Sequence, residues 1–294
     1  MTRLVPLALL VAAASVSAQE ADTLTAADGW RSSLVASVAG NQASFSNWQE
    51  GGIDALAVTA SAEGAFDRVV GRFLTTQRAR LAIGVLRQDT LDVRKALDVA
   101  RYAVSAELAT DDPFRPTASF SARSQFAPGF DFAPTEADYP TLTIVPGEPL
   151  KVSDAFSPLI LSQSAGLAYR PGTGFVARTG LALKETVVSI ERLRPVFGNA
   201  LDQPVRVEAG VDAELALERE VMNNVLLRSQ LSAFQAFGQI GNEAPDILFE
   251  NTLVLKVNDL LNVTLDGAAL FDADISTDLQ LRQSLAVGVA VALL

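Results

Sequence analysis

Histidine and cysteine are both missing from this 294-residue chain, and each absence closes a class of chemistry. Without histidine there is no general base for a Ser-His hydrolase, and the commonest nitrogen ligand for zinc or copper is gone. A carboxylate-based or Ser-Lys mechanism is not removed by composition alone, but the chain is not read as an enzyme. Without cysteine there are no disulfides, no lipoprotein anchor and no thiolate metal site. Long apolar runs are lacking too. Although 49% of the residues are hydrophobic, no run approaches the roughly 20 residues of a membrane-spanning helix, so the apolar content is spread through alternating segments. Nor does a Pro/Gly/Ser cluster or a charge block mark a linker, which favours one domain.

A basic surface is also absent. The chain carries 23 Lys and Arg against 34 Asp and Glu, a balance that argues against a nucleic-acid partner. At the N-terminus, Thr2 and Arg3 form a short positive start and Leu4 to Ala14 an apolar run. Val16-Ser17-Ala18 before Gln19 has the small-residue pattern of a signal-peptidase site. Residues 1–18 are therefore expected to be a cleaved signal peptide and 19–294 the mature domain. Export without disulfides fits a protein of the bacterial envelope.

What the chain does have is alternation. From Val205 to Glu218, Val205, Val207, Ala209, Val211, Ala213, Leu215 and Leu217 are apolar, while Arg206, Glu208, Asp212, Glu214 and Glu218 between them are charged. In a strand these sets point to opposite faces. One face apolar and the other charged along its length is the pattern of a wall between lipid and a polar interior. The same parity recurs from Phe175 onward, with Leu181, Leu183, Leu227, Leu253, Val263 and Val287 odd and Arg178, Lys184, Arg228, Glu250, Asp266 and Arg282 even. Asn251, Gln163 and Gln235 break it.

Periodicity gives about twelve strands. They fall near 30–40, 53–62, 72–86, 96–108, 114–126, 159–170, 175–187, 205–218, 224–237, 247–257, 261–271 and 280–294. Ser61-Ala62-Glu63-Gly64 is read as a tight turn after the second, and Ala127 to Ser157 as a long loop. Connections alternate between short and long. The expected architecture is all-β: a single transmembrane antiparallel up-and-down β-barrel with both termini periplasmic, in the outer membrane of a Gram-negative-type bacterium. A soluble antiparallel sandwich is the competing fold, but strands of this length exceed the usual five or six residues. Tyr169 and Phe175 beside a short turn, with Phe237, Phe249 and Phe271 beside longer loops, suggest aromatic girdles.

Asn47-Trp48 with Gly51-Gly52, Arg94-Lys95 with Asp98, Gln125-Phe126 with Gly129, and Ser153 with Phe156 and Pro158 form a further set of marks. Phe271-Asp272-Ala273-Asp274-Ile275 and Gln280 with Gln283 follow near the end. On these the chain resembles an uncharacterised group of outer-membrane β-barrel proteins from Bacteroidota-like bacteria, a domain of unknown function, across nearly the whole mature chain. The resemblance implies a fold, a location and assembly by the barrel-insertion machinery, but no reaction. Phe271 stands where the family usually has tyrosine, and Leu293-Leu294 replace the terminal aromatic common in outer-membrane barrels.

Few residues are arranged for chemistry. Pro171-Gly172-Thr173-Gly174 matches a loose nucleotide-binding fingerprint, but a strand follows where a helix is needed, so a hairpin turn with positive φ at the glycines is expected. Asp272, Asp274 and Asp278 are the most metal-like group, of a kind that holds hard cations such as calcium. They lack the glycine and glutamate of an EF-hand, and a solvated acidic loop is the plainer reading. No cofactor is expected. Asn47, Trp48, Gly51 and Gly52 form either a ligand-contacting loop or a turn whose tryptophan seats in the barrel mouth. Arg178, Arg206, Arg228, Arg282, Glu208, Asp212, Glu214, Glu250 and Asp266 are expected to line the lumen. If they pair, the barrel is plugged and acts through its loops; if they segregate, it is a narrow channel or uptake pore for small polar solutes. The polar inner face favours the pore.

Overall fold

The computed structural model describes residues 29–43, 54–89, 91–172, 174–274 and 276–294. The expected signal peptide and Asn47, Trp48, Gly51 and Gly52 lie outside the described residues. Among the described residues fourteen strands are formed: β1 (Gly29–Ala43), β2 (Ala55–Val70), β3 (Phe73–Gln88), β4 (Arg94–Leu108), β5 (Phe114–Ser124), β6 (Gly129–Asp131), β7 (Leu150–Ser153), β8 (Leu159–Tyr169), β9 (Phe175–Val187), β10 (Val205–Met222), β11 (Val225–Ala236), β12 (Asp246–Lys256), β13 (Leu261–Asp272) and β14 (Ser276–Ala292). Two short 3-10 turns, η1 (Glu191–Phe197) and η2 (Phe237–Gln239), complete the set. Among the described residues no helix is long and apolar enough to cross a membrane.

Twelve strands close into one antiparallel barrel in the order β1-β14-β13-β12-β11-β10-β9-β8-β5-β4-β3-β2, while β6 and β7 pair separately. Closure runs through β1 and β14, from Val35↔Ala292 to Gly40↔Val287. It joins the two ends of the sheet and so removes its open edges. The short connections lie at one end, where β1 also begins and β14 ends. At the other end the β5–β8, β9–β10 and β11–β12 connections are long, but β3–β4 is short and β13–β14 takes only residues 273–275, because Asp272 already pairs with Ser276, so the expected alternation is incomplete.

Parity sets the two faces. Odd residues carry the outward apolar side chains from β8 to β14, including Leu181 at 66% exposed, Val207 at 59% and Leu281 at 75%. In β1 and β2 the exposed positions are even, Val38, Leu56 and Val58, whereas in β3 they are odd, Leu81, Ile83 and Val85. A register shift between Gly84 and Val85 separates the pairing of β3 with β4 into two phases, which a bulge does by inserting one unpaired residue. The outward rings also mark the short-turn end. Phe114 and Tyr169 sit opposite each other with centroids 5.0 Å apart, and Arg68 lies over Trp30 at 5.1 Å.

One expected turn is wrong. Ser61-Ala62-Glu63-Gly64 does not reverse the chain but lies in the middle of β2, paired to β1 and β3 throughout. The reversal comes at Gly71, where φ is +55°. Small residues around Glu63 mimic turn composition, yet Gly64 serves packing: a Cβ there would sit 3.0 Å from the Phe66 ring. Strand number survives because β2 simply lengthens. Gly172 and Gly174 do adopt positive φ, 85° and 72°, in the β8–β9 hairpin.

Candidate functional site: charges inside the barrel

The face opposite the exposed apolar residues carries ion pairs that reach across the barrel. Arg101 on β4 donates to Glu250 on β12 at 2.5 Å, although β12 and β4 stand six places apart in the order β12-β11-β10-β9-β8-β5-β4. In a ring of twelve these are opposite walls. Arg228 on β11 reaches Glu63 on β2 at 3.2 Å, and Arg80 on β3 approaches Asp266 on β13 at 3.8 Å. Arg80 also lies 3.4 Å from Glu63, and Arg282 lies 3.9 Å from Glu250. Charges withdrawn from water need partners, and here the partners come from distant strands.

Two further clusters cap this belt. Toward the long loops, Lys184 donates to Asp246 and lies 3.4 Å from Glu208, while Arg206 donates to Asp274 at 2.6 Å and lies 3.3 Å from Glu208. Toward the short turns, the fully buried Glu107 accepts from Arg170 Nε and Nη2 and from Arg178 Nη2, and Arg178 Nη1 donates to Glu214 at 2.9 Å. Most cations sit on β3, β4, β5 and β9, as Arg80, Arg101, Arg123, Arg178 and Lys184. Most anions sit on β10, β12 and β13, as Glu208, Asp212, Glu214, Asp246, Glu250 and Asp266. Arg101–Glu250, Arg80–Asp266, Arg178–Glu214 and Lys184–Asp246 therefore join a basic wall to an acidic one, whereas Arg228–Glu63 runs the other way and Glu107 sits among the cations.

All nine residues expected to line the lumen lie on this face, and eight of them enter the ion pairs above. Asp212 is the ninth; its Oδ1 is buried without a hydrogen-bond partner. Glu63, Arg80, Arg101, Glu107 and Asp246 were not singled out. Glu63 was hidden by the misplaced turn, and the β3–β4 bulge broke the parity that would have flagged Arg80 and Arg101 together. Glu107 and Asp246 carried a usable signal, a lone charge on the inward parity near a strand end.

The acidic group expected at Asp272, Asp274 and Asp278 is composed differently. Carboxylate oxygens of Asp246, Asp272 and Asp274 lie within 4.8 Å of one another, and Asp278 does not join them. The N–H of Asp278 instead donates to Ser276 Oγ at the exposed start of β14. Strand β12 brings Asp246 from 26 residues away, which no local spacing reveals. Lys184 and Arg206 already meet two of the three carboxylates, so the group belongs to the ion-pair network.

Above the wall, the long connection between β5 and β8 is not an open loop. It holds the β6–β7 pair and is tied down by one clasp. Asp98, whose side chain is only 2% exposed, accepts from Lys95 Nζ at 3.0 Å, from Phe126 N at 3.0 Å and from Ala127 N at 2.8 Å. Lys95 Nζ also donates to Ala127 O, and Gln125 Nε2 donates to Asp154 O and Ser157 O. Gly129 leaves the room this needs, since a Cβ there would stand 2.2 Å from Ser153 Oγ. Farther out, Tyr139 donates to Asp131 at 3.1 Å. Burial and that carboxylate push its phenol up to about 12. Lys151, hydrogen-bonded to Asp154, holds the Asp154 carboxyl below its usual range. The marks of the family resemblance between Lys95 and Pro158 thus form one structural knot.

Residues 40–130 match a family profile described as "Protein of unknown function (DUF3078)". That span runs from the end of β1 into β6 and takes in Lys95, Asp98, Gln125 and Gly129. It stops short of Ser153, Phe156, Pro158 and the marks after Phe271, so the likeness is narrower than the whole-chain resemblance expected. No curated protein sequence matches the chain. Among solved structures, the chain is similar to the translocator domain of the autotransporter NalP from Neisseria meningitidis, at 10% identity, covering 91% of this chain and 90% of that one, TM-score 0.39. It is similar also to an outer-membrane channel from Pseudomonas putida, at 9% identity over 94% and 98% of the chains, TM-score 0.38. Salmonella typhi OmpF in complex with daunomycin follows at 9%, 90% and 98%, TM-score 0.34.

Proposed function

We propose that the protein is an outer-membrane β-barrel, exported by residues 1–18, whose lumen is closed at rest by ion pairs and which acts through the loop assembly at its long-loop end. Exposed aliphatic side chains around the barrel suit contact with lipid. Its shortest barrel strands have 11 residues; at about 3.3 Å per residue and a tilt near 40° they stand about 28 Å tall, matching an apolar band of about 25 Å. In that orientation the short turns face the periplasm, and the barrel-insertion machinery is the partner during assembly.

The observation that carries the closed state is the Arg101–Glu250 bond between opposite walls. It turns the balance away from the pore that the polar face alone favours. A second reading, a narrow passage for small polar solutes, draws on the division of the lumen into basic and acidic walls, since such a transverse field selects among charged solutes. Single-channel recording on the refolded mature chain in planar bilayers tests both. The closed reading expects silence from the wild type and discrete steps from the Arg101→Gln/Glu250→Gln double variant. Steady steps from the wild type overturn it in favour of the channel.

A further inference from the structure

We infer that the short-turn mouth of the lumen holds a binding site for a small oxyanion, a phosphate or carboxylate group, built on Arg115 and Thr117 of β5 beside Arg170 and Arg178. The anchor is the shortage of acceptors around Glu107. Its carboxylate has no exposed surface and accepts three charged hydrogen bonds, two from Arg170 at 3.1 and 2.9 Å and one from Arg178 at 3.1 Å. Glu214 is likewise engaged by Arg178. A third guanidinium, Arg115, lies in the electrostatic reach of both Glu107 and Arg170. Its Nε and Nη1 are buried with no hydrogen-bond partner, and so is the hydroxyl of Thr117.

Buried donors without acceptors are costly, and these lie on one face of one strand. Strand pairing explains why no side chain crowds them. Thr117 stands opposite Glu107 on one side and Gly166 on the other, and Gly166 stands opposite Gly180. Two successive strands therefore present no side chain next to the Thr117 hydroxyl. Asp212, opposite Gly180, closes the far side, its carboxylate turned toward Ser164 of β8. The guanidinium fork and hydroxyl supply the donors that a phosphate or carboxylate accepts, and Arg170 and Arg178 add positive field. Arg115 and Thr117 are the second and fourth residues of β5, at its short-turn end.

The test is calorimetric titration of the refolded protein in micelles with inorganic phosphate, against chloride at matched ionic strength. The wild type is expected to show saturable phosphate binding, weakened at least tenfold in Arg115→Gln and measurably in Thr117→Val, and unchanged in Arg282→Gln on β14. Heat-modifiable gel mobility reports folding of each variant. If Arg115→Gln does not refold, Arg115→Lys keeps the charge but loses the fork, and it too must bind more weakly. Absence of saturable binding in the wild type, or equal affinity in the Arg115 variants, overturns the site. So does binding seen only with an anionic phospholipid added to the micelle, which locates the phosphate contact outside the lumen.

Discussion

Arg101 and Glu250 are separated by 149 residues and by half the circumference of the barrel, yet they meet at 2.5 Å. Each also has a charged neighbour of its own. Glu250 is shared with Arg282 at 3.9 Å, so the contact is one strut of a network rather than an isolated pair. Removing one end leaves the other charge in the lumen without its partner.

Double-mutant analysis measures that strut. Arg101→Gln and Glu250→Gln are each expected to lower stability by about 2 kcal/mol, the scale of a hydrogen bond to a charged group. The double variant is expected to lose less than the sum. Reversible urea unfolding in lipid vesicles reads the values, and strict additivity would deny the coupling.

Lipid contact is tested at Leu181. This residue lies outward near the middle of β9, opposite Val211 and Ala165. Leu181→Arg is expected to cost about 2–4 kcal/mol in a bilayer, as for charge at the midplane of a barrel's lipid face. A cost under 0.5 kcal/mol in the same vesicle assay would mean that this wall faces water.

The clasp at Asp98 is expected to act on the loop alone. Asp98→Ala removes the acceptor of Lys95 Nζ, Phe126 N and Ala127 N and frees the start of the connection without touching the barrel ladder. Limited proteolysis should then cut between residues 127 and 157 while the barrel keeps its heat-modifiable mobility. A loop as resistant as the wild type's would show that β6 and β7 hold it by themselves.

Alkaline titration reports on the β6–β7 assembly. Because folding raises the Tyr139 phenol to about 12, above its unfolded value near 10, its contribution to stability is complete below pH 10. It is lost as pH rises from about 10 to about 12. Absorbance at the phenolate band should show one late tyrosine, missing in Tyr139→Phe. A late phase that persists unchanged in Tyr139→Phe would contradict the buried contact with Asp131.

Strand identity, inward and outward parity and barrel closure were legible because alternation is a local property, written two residues at a time. From Phe175 to Ala292 that code runs with few breaks, such as Gln235 and Asn251, and most inward charges there could be named in advance. It failed where a local signal was ambiguous or broken. At Ser61 to Gly64 small residues imitate a turn inside β2, and at Gly84 a bulge shifts the phase.

In the second half of the chain the sequence by itself determined which side chains face in. Only the tertiary structure decided which of them meet, because ring closure sets Arg101 against Glu250 and Arg228 against Glu63. Partner choice in a closed sheet depends on strand order and register around the whole ring, a relation that no window of consecutive residues contains. The same holds for Arg115, whose unmet donors follow from Arg170, just after β8, and Arg178 on β9 having already claimed Glu107.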